Sequence, residues 1–388
     1  MQRIEKASWD FVHKYQKIPP SELLLKKQLH EGVDINWAVK QIEARQKAEK
    51  KLPSWFNNKE IEFPVRLSME QSSSEATASY KANLLEGERL IDLTGGFGVD
   101  AFHFCKNFKE VFYCERDEDL CRIAEYNSNV LAINNLTVKQ GDSLEVLKDI
   151  PFDFDVIYLD PARRDANQKK VVSFADCQPD VIENKNFLLS KAEKVLIKAS
   201  PMLDIPQALR ELDNVTTVFV VAVENEVKEL LFLLERSPAE RVKKVAVNIV
   251  KDDINEFEST DVSNIDFSET LNYLYEPNVA LLKAGLQNEA AAKYHLLKLH
   301  PNSHLYTSTH LFEDFPGRVF NVDQLLKVKK KLIQKEIPGK KANITVRNFP
   351  MNVADIRKKT GLKEGGEIYL FATTLLNNDK VLIKCSKP

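Results

Sequence analysis

The feature that most constrains the fold of this chain is a glycine-rich turn, Asp92-Leu93-Thr94-Gly95-Gly96-Phe97-Gly98-Val99-Asp100. The segment Arg89-Leu90-Ile91 precedes the turn, and an amphipathic segment begins after it at Ala101. This order predicts a strand, a tight turn and a helix. Glycines let the backbone pass close to a ligand, and the first turn of a helix presents unpaired N–H groups. The turn therefore predicts a site for a nucleotide-like molecule at the end of a strand.

Acidic residues stand in this turn and recur where later strands should end. They are Asp92, Asp100, Glu115, Asp142 and Asp160. A glycine turn of this kind serves both dinucleotides and S-adenosylmethionine, and Gly96-x-Gly98-x-x-Ala101 fits the loose dinucleotide pattern. So many carboxylates would repel a pyrophosphate, whereas S-adenosylmethionine carries a sulfonium, an ammonium and no phosphate. The acids therefore favour S-adenosylmethionine as the cofactor.

Apolar strands alternate with helical segments from Leu90 to Val250, as a doubly wound parallel α/β sheet requires. Seven strands are predicted, at 89–94, 110–115, 136–140, 154–160, 193–199, 215–223 and 242–250. Asn225–Leu234 is predicted to form the last helix of this sheet. Near the end of the chain, the pattern predicts a strand at 344–347, a helix at 354–360 closed by Gly361, and strands at 367–375 and 380–385.

The run from Asp92 to Asp160 resembles the class I S-adenosylmethionine-dependent methyltransferases. Further stretches resemble a bacterial subgroup of these enzymes that carries a THUMP-like C-terminal domain. These stretches are Leu67–Thr77, Asp160-Pro161-Ala162-Arg163-Arg164, Tyr275-Glu276-Pro277-Asn278 and the final segment from Ala342. The resemblance covers most of residues 65–388 and implies a Rossmann-like sheet of seven strands, the seventh antiparallel. One departure is Thr94, which stands where the family usually has its first glycine.

The resemblance also implies which residues bind the cofactor. Asp92 through Gly98 would cradle the methionine part, Glu115 would hold the ribose hydroxyls, and Asp142 would face the adenine amino group. The predicted cofactor-binding set is Asp92, Thr94, Gly95, Gly96, Phe97, Gly98, Asp100, Glu115, Arg116, Asp142 and Ser143.

Methyl transfer is an in-line displacement at a carbon already activated by the sulfonium, so the protein mainly aligns the acceptor and removes water. Asp160 is the strongest candidate for a catalytic role, because the loop after the fourth strand lies beside the methyl group in this fold. Its carboxylate can orient or deprotonate a nitrogen. The alternative is a helix-capping aspartate before Pro161. Pro161 and Arg163 complete the predicted catalytic set.

The loops after strands four and five restrict which atom can accept the methyl group. Enzymes that methylate carbon 5 of a pyrimidine need a cysteine nucleophile there, but 160–164 and 199–202 contain none. Ala162 and Arg163 replace the second proline and the base-stacking aromatic residue of amino-group methylases, which disfavours the adenine amino group. A ring nitrogen would need only positioning. The sequence therefore predicts direct transfer to a nitrogen of a base.

With 388 residues, the chain is long enough for several domains. We predict a helical N-terminal domain (1–65), a methyltransferase domain (66–250), an α+β intermediate domain (251–331) and a THUMP-like basic domain (332–388). From Asn321 to Pro388, 15 Lys and Arg stand against 6 Asp and Glu, a local charge of +9 that leaves −11 for residues 1–320. A basic tail on an acidic catalytic part fits a polyanionic substrate, and a solvated lysine-rich face is the alternative.

THUMP domains bind RNA in proteins that modify it, so the resemblance implies a structured RNA, such as tRNA, as substrate and partner. The predicted RNA-binding residues are Arg163, Arg164, Lys340, Lys341 and Arg347. Two other functions stay open: a methyltransferase acting on a small molecule or a protein, and a non-catalytic RNA-binding protein that keeps the fold.

The remaining composition predicts a cytoplasmic protein. The five cysteines form no CxxC pair, and their odd number argues against a secreted disulfide framework. No apolar run reaches the roughly 18 residues that a membrane helix needs. The four histidines His295, His300, His304 and His310 are interrupted by Pro301 and have no cysteine nearby. We therefore expect neither a membrane association nor a metal site, and we infer no obligate protein partner.

Overall fold

The structure is a computed structural model that describes residues 6–25, 32–163, 173–237, 240–261 and 264–388. The chain divides into two compact units. The first unit comprises Met1–Val218 and Lys228–Val242, and the second comprises Phe219–Val227 and Lys243–Pro388. The predicted division into four domains stays a prediction.

Helices open the first unit. They are α1 (Lys6–Tyr15), α2 (Pro20–Leu25), α3 (Ile35–Lys51), α4 (Pro53–Asn57), α5 (Arg66–Gln71) and α6 (Glu75–Asn83). Arg45 of α3 is buried, and its guanidinium donates to the carbonyl oxygens of Phe56, Asn58, Lys59 and Ile61. Ser74 caps α6 by accepting from the N–H of Thr77. Arg45 thus fixes α3 to residues 56–61, which precede α5.

Strands and helices then alternate. They are β1 (Gly87–Asp92), α7 (Val99–Phe104), β2 (Phe108–Glu115), α8 (Glu118–Val130), β3 (Leu136–Gln140), α9 (Ser143–Asp149), β4 (Phe154–Leu159), β5 (Ala162–Arg163), a 3-10 turn (Phe174–Asp176), β6 (Cys177–Gln178), α10 (Val181–Lys191), β7 (Ala192–Ala199), α11 (Ile205–Glu211), β8 (Val215–Val223) and β9 (Glu226–Glu235). The short strands β5 and β6 pair with each other in a separate two-stranded sheet.

Seven strands of the main sheet follow the order β3-β2-β1-β4-β7-β9-β8. Parallel pairing joins β2 to β3, β1 to β2, β1 to β4 and β4 to β7, whereas β9 runs antiparallel to β7. The central strands are buried; Leu90, Ile91 and Ile157 have no exposed surface. Because the chain order reverses between β1 and β4, a crevice opens at the carboxyl ends of these strands. The predicted Rossmann-like seven-stranded α/β fold is confirmed.

The predicted helix at 225–234 is wrong, because this segment is strand β9. Glu, Lys and Leu favour helix locally, but burial overrides that preference: Leu230, Leu231 and Phe232 have no exposed surface. A two-residue hairpin with positive φ at Glu224 and Asn225 joins β9 to β8. The strand that pairs antiparallel with β7 is therefore β9, and the predicted strand at 242–250 is observed as β10 (Lys243–Val250) of the same sheet.

The second unit contains the remaining elements. They are β10 (Lys243–Val250), β11 (Asp253–Glu258), β12 (Tyr273–Pro277), α12 (Val279–Ala284), α13 (Gln287–Lys293), β13 (Leu297–Lys298), β14 (Tyr306–Ser308), β15 (Gly317–Leu326), α14 (Lys330–Glu336), β16 (Asn343–Val346), α15 (Val353–Thr360), β17 (Tyr369–Thr374) and β18 (Lys380–Ser386). Strands β10 and β11 form an antiparallel hairpin. The seven strands from β12 to β18 form a sheet in the order β13-β14-β12-β15-β18-β17-β16.

The predicted elements near the C-terminus are confirmed as β16, α15, β17 and β18, and Gly361 ends α15 with a φ of +80°. Apolar residues of α14 and α15, including Ile333 and Ile356, share a core with Leu370 and Leu382 of the sheet. Hydrophobic burial against one face of the sheet thus fixes both helices. Among the described residues, no helix combines the length and apolar character needed to cross a membrane.

Candidate functional site

A cleft of about 960 Å³ lies in the first unit, where the glycine turn meets the carboxyl ends of the parallel strands. It brings together nine predicted cofactor residues and two predicted catalytic ones: Thr94, Gly95, Gly96, Phe97, Gly98, Asp100, Glu115, Arg116, Ser143, Asp160 and Pro161. Asp92 and Asp142 do not line it. A second cavity, of about 770 Å³, is lined by parts of α4 and α7 and the loop after α8, and it contains no predicted site residue.

The turn after β1 requires glycine for two different reasons. Gly96 and Gly98 have φ values of +53° and +85°, which favour glycine. A Cβ added at Gly95 would lie 2.3 Å from the ring of Tyr113. The hydroxyl of Tyr113 donates to the carbonyl oxygen of Gly96 at 2.6 Å. The turn is therefore a fixed cradle rather than a flexible loop.

Thr94, the departure from the family pattern, connects the turn to the loop after β4. Its hydroxyl accepts a hydrogen bond from the backbone N–H of Asp160 at 2.6 Å and contacts Asp92 Oδ1 at 3.3 Å. A glycine could not make these bonds. Thr94 therefore fixes the position of Asp160 relative to the turn.

Asp92 lies directly beneath the turn and is 1% exposed. Burial raises the pKa of its carboxyl to about 8, against the opposing hydrogen bond from the backbone N–H of Thr94. The neighbouring carboxylates of Asp100 and Asp160 raise this pKa further. In the free protein, Asp92 therefore holds a proton near neutral pH.

We expect the free energy of unfolding to fall with rising pH through Asp92. Its pKa rises from 3.8 to about 8 on folding, so its stabilisation is complete below pH 3.8 and is lost as the pH rises to 8. The expected slope in this window is about 1.4 kcal/mol per pH unit. Asp92→Asn should remove this slope, as measured by urea unfolding at a series of pH values. Identical pH dependences for wild type and variant would contradict the assignment.

Glu115, at the end of β2, reaches across to the glycine turn. Its Oε2 accepts from the N–H of Gly96 at 2.8 Å, and its Oε1 accepts from the N–H groups of Arg116 and Asp117 at 2.7 and 3.0 Å. A carboxylate has about four lone-pair sites, so it can accept a further donor from the cleft. Glu115 thus both organises the turn and offers an acceptor to a ligand.

Asp142 has partners within the chain for both of its oxygens. It caps α9, because its Oδ1 accepts from the N–H groups of Leu144 and Glu145, and its Oδ2 accepts from the guanidinium of Arg116. Its contact with an adenine amino group stays a prediction.

A lysine that sequence reasoning missed lies beside Asp160. Lys198 ends the buried part of β7, and its Nζ donates to Asp160 Oδ2 at 2.6 Å and to Ser73 Oγ at 3.1 Å. Burial would lower the pKa of Lys198, but Asp160, Glu229 and Asp100 raise it well above its usual value. Lys198 is therefore an ammonium in the cleft wall.

A second lysine, Lys81, lies behind this pair. Its Nζ contacts both oxygens of Glu229, at 2.7 and 2.9 Å, and Asp100 Oδ1 at 3.2 Å. Ser73 donates to Asp100 Oδ2 at 2.7 Å. Burial would raise the pKa of Asp100, but Lys81 and Lys198 hold it at about 2. These contacts join the two lysines and three carboxylates into one network, called here the lysine network: Ser73, Lys81, Asp100, Asp160, Lys198 and Glu229.

One signal for this network was present in the sequence. The segment Leu67–Thr77 resembles the THUMP-like methyltransferase subgroup, and its residues Ser68, Gln71, Ser72 and Ser73 line the cleft. Lys198 also follows an apolar run, Val195–Ile197, just as Glu115 and Asp160 follow the apolar runs of their strands. Nothing in the sequence indicated Glu229, which fell in the segment assigned to a helix.

The predicted RNA-binding residues are divided between the two units. The backbone of Arg163 belongs to β5, whereas its side chain and the whole of Arg164 lie outside the described residues. Lys340, Lys341 and Arg347 belong to the second unit. The two lysines are exposed, but Arg347 contacts the buried Glu276 at 2.8 Å. Arg347 therefore already has a partner within the fold.

Comparisons with known proteins add to this geometry. The crystal structure of a candidate methyltransferase from Porphyromonas gingivalis W83 is 34% identical and superposes with a TM-score of 0.88, over 98% of this chain and 97% of that one. Residues 273–316 match a ferredoxin-like domain model, and residues 317–387 match a THUMP domain-like model. No curated protein matches the chain.

Two streptococcal structures align with a smaller part of the chain. A candidate methyltransferase from Streptococcus mutans, in complex with S-adenosylhomocysteine, is 16% identical over 42% of this chain and 96% of its own, with a TM-score of 0.31. An rRNA methylase from Streptococcus thermophilus is 15% identical over 41% of this chain and 93% of its own, with a TM-score of 0.30. These scores are too low to support a conclusion about this chain.

Proposed function

The chain belongs to the class I S-adenosylmethionine-dependent methyltransferases that carry a THUMP-like C-terminal domain, and from this premise we propose that it methylates RNA with S-adenosylmethionine as the methyl donor. The observation that carries the proposal is the cleft, where the fixed glycine turn, Glu115 and Asp160 converge. The cofactor would supply a methyl group activated by a sulfonium. The protein would bind it, align the acceptor and exclude water.

The residues of the cleft fit this cofactor. A Cβ added at Gly96 would meet only the carbonyl oxygen of Thr94, at 3.8 Å, so the backbone there is open to a ligand, and the carboxylates of Glu115 and Asp100 line the same cleft. The buried Asp92 beneath it has a raised pKa, so a nearby ammonium or sulfonium would stabilise its ionised form. The glycine turn, with Asp92 beneath it, would face the methionine part, Glu115 would hold the ribose diol, and Asp142 and Ser143 would lie at the adenine end.

Glu115→Ala should weaken cofactor binding by about 1–3 kcal/mol, because it removes the acceptor for the ribose hydroxyls. Titration calorimetry with S-adenosylmethionine measures this change. Glu115→Gln is the matched control, since its amide keeps one acceptor oxygen for the N–H of Gly96 and should lose less affinity. Unchanged affinity in Glu115→Ala would mean that the cofactor does not lie against β2. Absence of any cofactor binding by the wild type would favour a non-catalytic RNA-binding protein.

The support for RNA comes from the THUMP-like match and from the charge of that segment. Ten of its exposed lysines are grouped here as the basic face: Lys327, Lys329, Lys330, Lys331, Lys335, Lys340, Lys341, Lys358, Lys359 and Lys363. α14 and α15 pack against each other and carry half of these lysines. Such a surface attracts phosphates without reading sequence. It would hold the RNA while the cleft acts on it.

Lys340→Ala/Lys341→Ala should weaken RNA binding and lower the slope of log affinity against log salt concentration by about 1 per lysine. Filter binding of total tRNA at several salt concentrations measures both. The matched control is Lys109→Ala/Lys194→Ala, which removes two lysines near the amino ends of β2 and β7, at the opposite edge of the sheet from the cleft. Equal slopes in all three proteins would contradict the role of the basic face and favour a small-molecule or protein substrate.

A further inference from the structure

An ion pair in the wall of the cleft constrains the chemistry of the acceptor atom. Asp160 directly follows β4, Lys198 lies near the carboxyl end of the neighbouring parallel strand β7, and both line the cleft. Nζ of Lys198 lies 2.6 Å from Asp160 Oδ2, and the Asp160 side chain is 37% exposed. A carboxylate and an ammonium are therefore presented together to whatever occupies the acceptor side of the cleft.

We propose that the methyl acceptor is an alcohol oxygen, the 2′-hydroxyl of a ribose in RNA, with Asp160 as the proton acceptor and Lys198 beside it; this rests on the proposed function. An alcohol is a weak nucleophile and must lose its proton during the transfer, so it needs a base. The developing negative charge on its oxygen is stabilised by a nearby cation. The Asp160–Lys198 pair provides both groups.

A neutral ring nitrogen would not suit this environment as well. When it attacks the sulfonium it becomes positively charged, and an ammonium a few ångströms away disfavours that charge. Lys198 is held as an ammonium by three carboxylates, those of Asp160, Glu229 and Asp100. Ser73 and Lys81 fix its position from behind. The three carboxylates of the lysine network outnumber its two ammoniums, so the effect is local: the ammonium of Lys198 opposes positive charge and favours negative charge on an acceptor atom held directly beside it.

The walls of the cleft also differ from those expected for a flipped base. Enzymes that act on a base hold it between aromatic or apolar side chains. Among the cleft-lining residues that the structure describes, the aromatic one is Phe97, which is 3% exposed and packs its ring against Trp55 and Phe63. A ribose needs no stacking platform. Its 2′-hydroxyl is also the group that distinguishes RNA from DNA.

The proposed step balances without a further reactant. The hydroxyl oxygen forms a bond to the methyl carbon as the bond from that carbon to sulfur breaks, and the hydroxyl proton passes to the carboxylate of Asp160. The products are a 2′-O-methylated ribose, the neutral thioether S-adenosylhomocysteine and a protonated Asp160, which then releases its proton to solvent.

Lys198→Met tests the role of the ammonium. For an oxygen acceptor, we expect transfer to slow by about 10²–10³-fold, as when a charge-stabilising donor is removed. We also expect the variant's rate to recover partly as the pH rises, because a higher pH makes the alcohol easier to deprotonate. Lys198→Arg should retain more activity, and Lys194→Met, near the amino end of the same strand, is the control. A variant as fast as wild type at every pH would overturn the role of Lys198.

The position of the methyl group tests the inference directly. RNA is labelled with methyl-tritiated S-adenosylmethionine by the wild-type protein and digested to nucleosides, and the glycosidic bonds are then cleaved. We expect the label in the ribose fraction, and none in an RNA whose target ribose is replaced by 2′-deoxyribose. Label in the base fraction would overturn the ribose acceptor but leave RNA methylation standing. Absence of label from RNA would overturn the proposed function itself.

Discussion

Asp160→Asn should lower the rate of methyl transfer by about 10²–10⁴-fold, the range for loss of a positioned proton acceptor. Asparagine has nearly the shape of aspartate, so the hydrogen bond from its backbone N–H to Thr94 Oγ1 is kept. The amide cannot accept the proton, and it leaves Lys198 without its closest counter-charge. Affinity for S-adenosylmethionine should not change, because the glycine turn and Glu115 are untouched.

Two measurements make this prediction decisive. Single-turnover transfer of labelled methyl gives the chemical rate, and calorimetry gives the cofactor affinity separately. Asp153→Asn is the matched control, since Asp153 stands just before the amino end of β4 with 63% of its side chain exposed. If Asp160→Asn transferred methyl as fast as Asp153→Asn, then Asp160 would only hold the loop in place.

Lys81→Met should lower the free energy of unfolding by about 3–5 kcal/mol, the usual cost of leaving a buried charge unpaired. The Lys81 side chain has no exposed surface, and its partners Glu229 and Asp100 are 2% and 10% exposed. Methionine fills a similar volume but leaves the carboxylate of Glu229 buried without its cation. The loss is therefore electrostatic rather than a loss of packing.

Urea unfolding of two further variants separates the loss of this buried ion pair from a nonspecific loss of stability. Lys81→Met/Glu229→Gln should recover part of the loss, because the double variant removes the orphaned charge as well. Lys47→Met is the control: Lys47 pairs with the half-exposed Glu70, and such surface pairs contribute about 0–1 kcal/mol. A double variant no more stable than Lys81→Met would contradict a buried ion pair at this position.

Most of the sheet could be predicted from the sequence because its strands are apolar runs bounded by polar turns. β1, β2, β3, β4, β7 and β8 all lie where apolar residues predicted them. The exception was β9, whose Leu, Glu and Lys residues suit a helix. Its strand conformation comes from pairing with β7 and from burial, which no local pattern records.

The residues of the candidate site also divide into those that the sequence indicates and those that only the folded chain brings together. Residues within one strand-turn-helix segment, such as Gly95 and Gly96, were found because their spacing is local. The Lys81–Glu229 contact joins residues 148 positions apart, so only the folded chain brings it together. Asp142 is a further case: its place at a strand end predicts a contact with the adenine, which stays a prediction, and the structure adds its bonds to Arg116 and to the start of α9.

The central claim is that this chain methylates RNA from S-adenosylmethionine, and one labelling experiment tests it most directly. Purified wild-type protein and Asp160→Asn are each incubated with methyl-tritiated S-adenosylmethionine and separate RNA, protein and metabolite fractions from the cell that encodes the chain. We predict label in the RNA fraction with the wild type and at least about 100-fold less with the variant. Label in the protein or metabolite fraction alone, or equal RNA labelling by both proteins, would contradict the account.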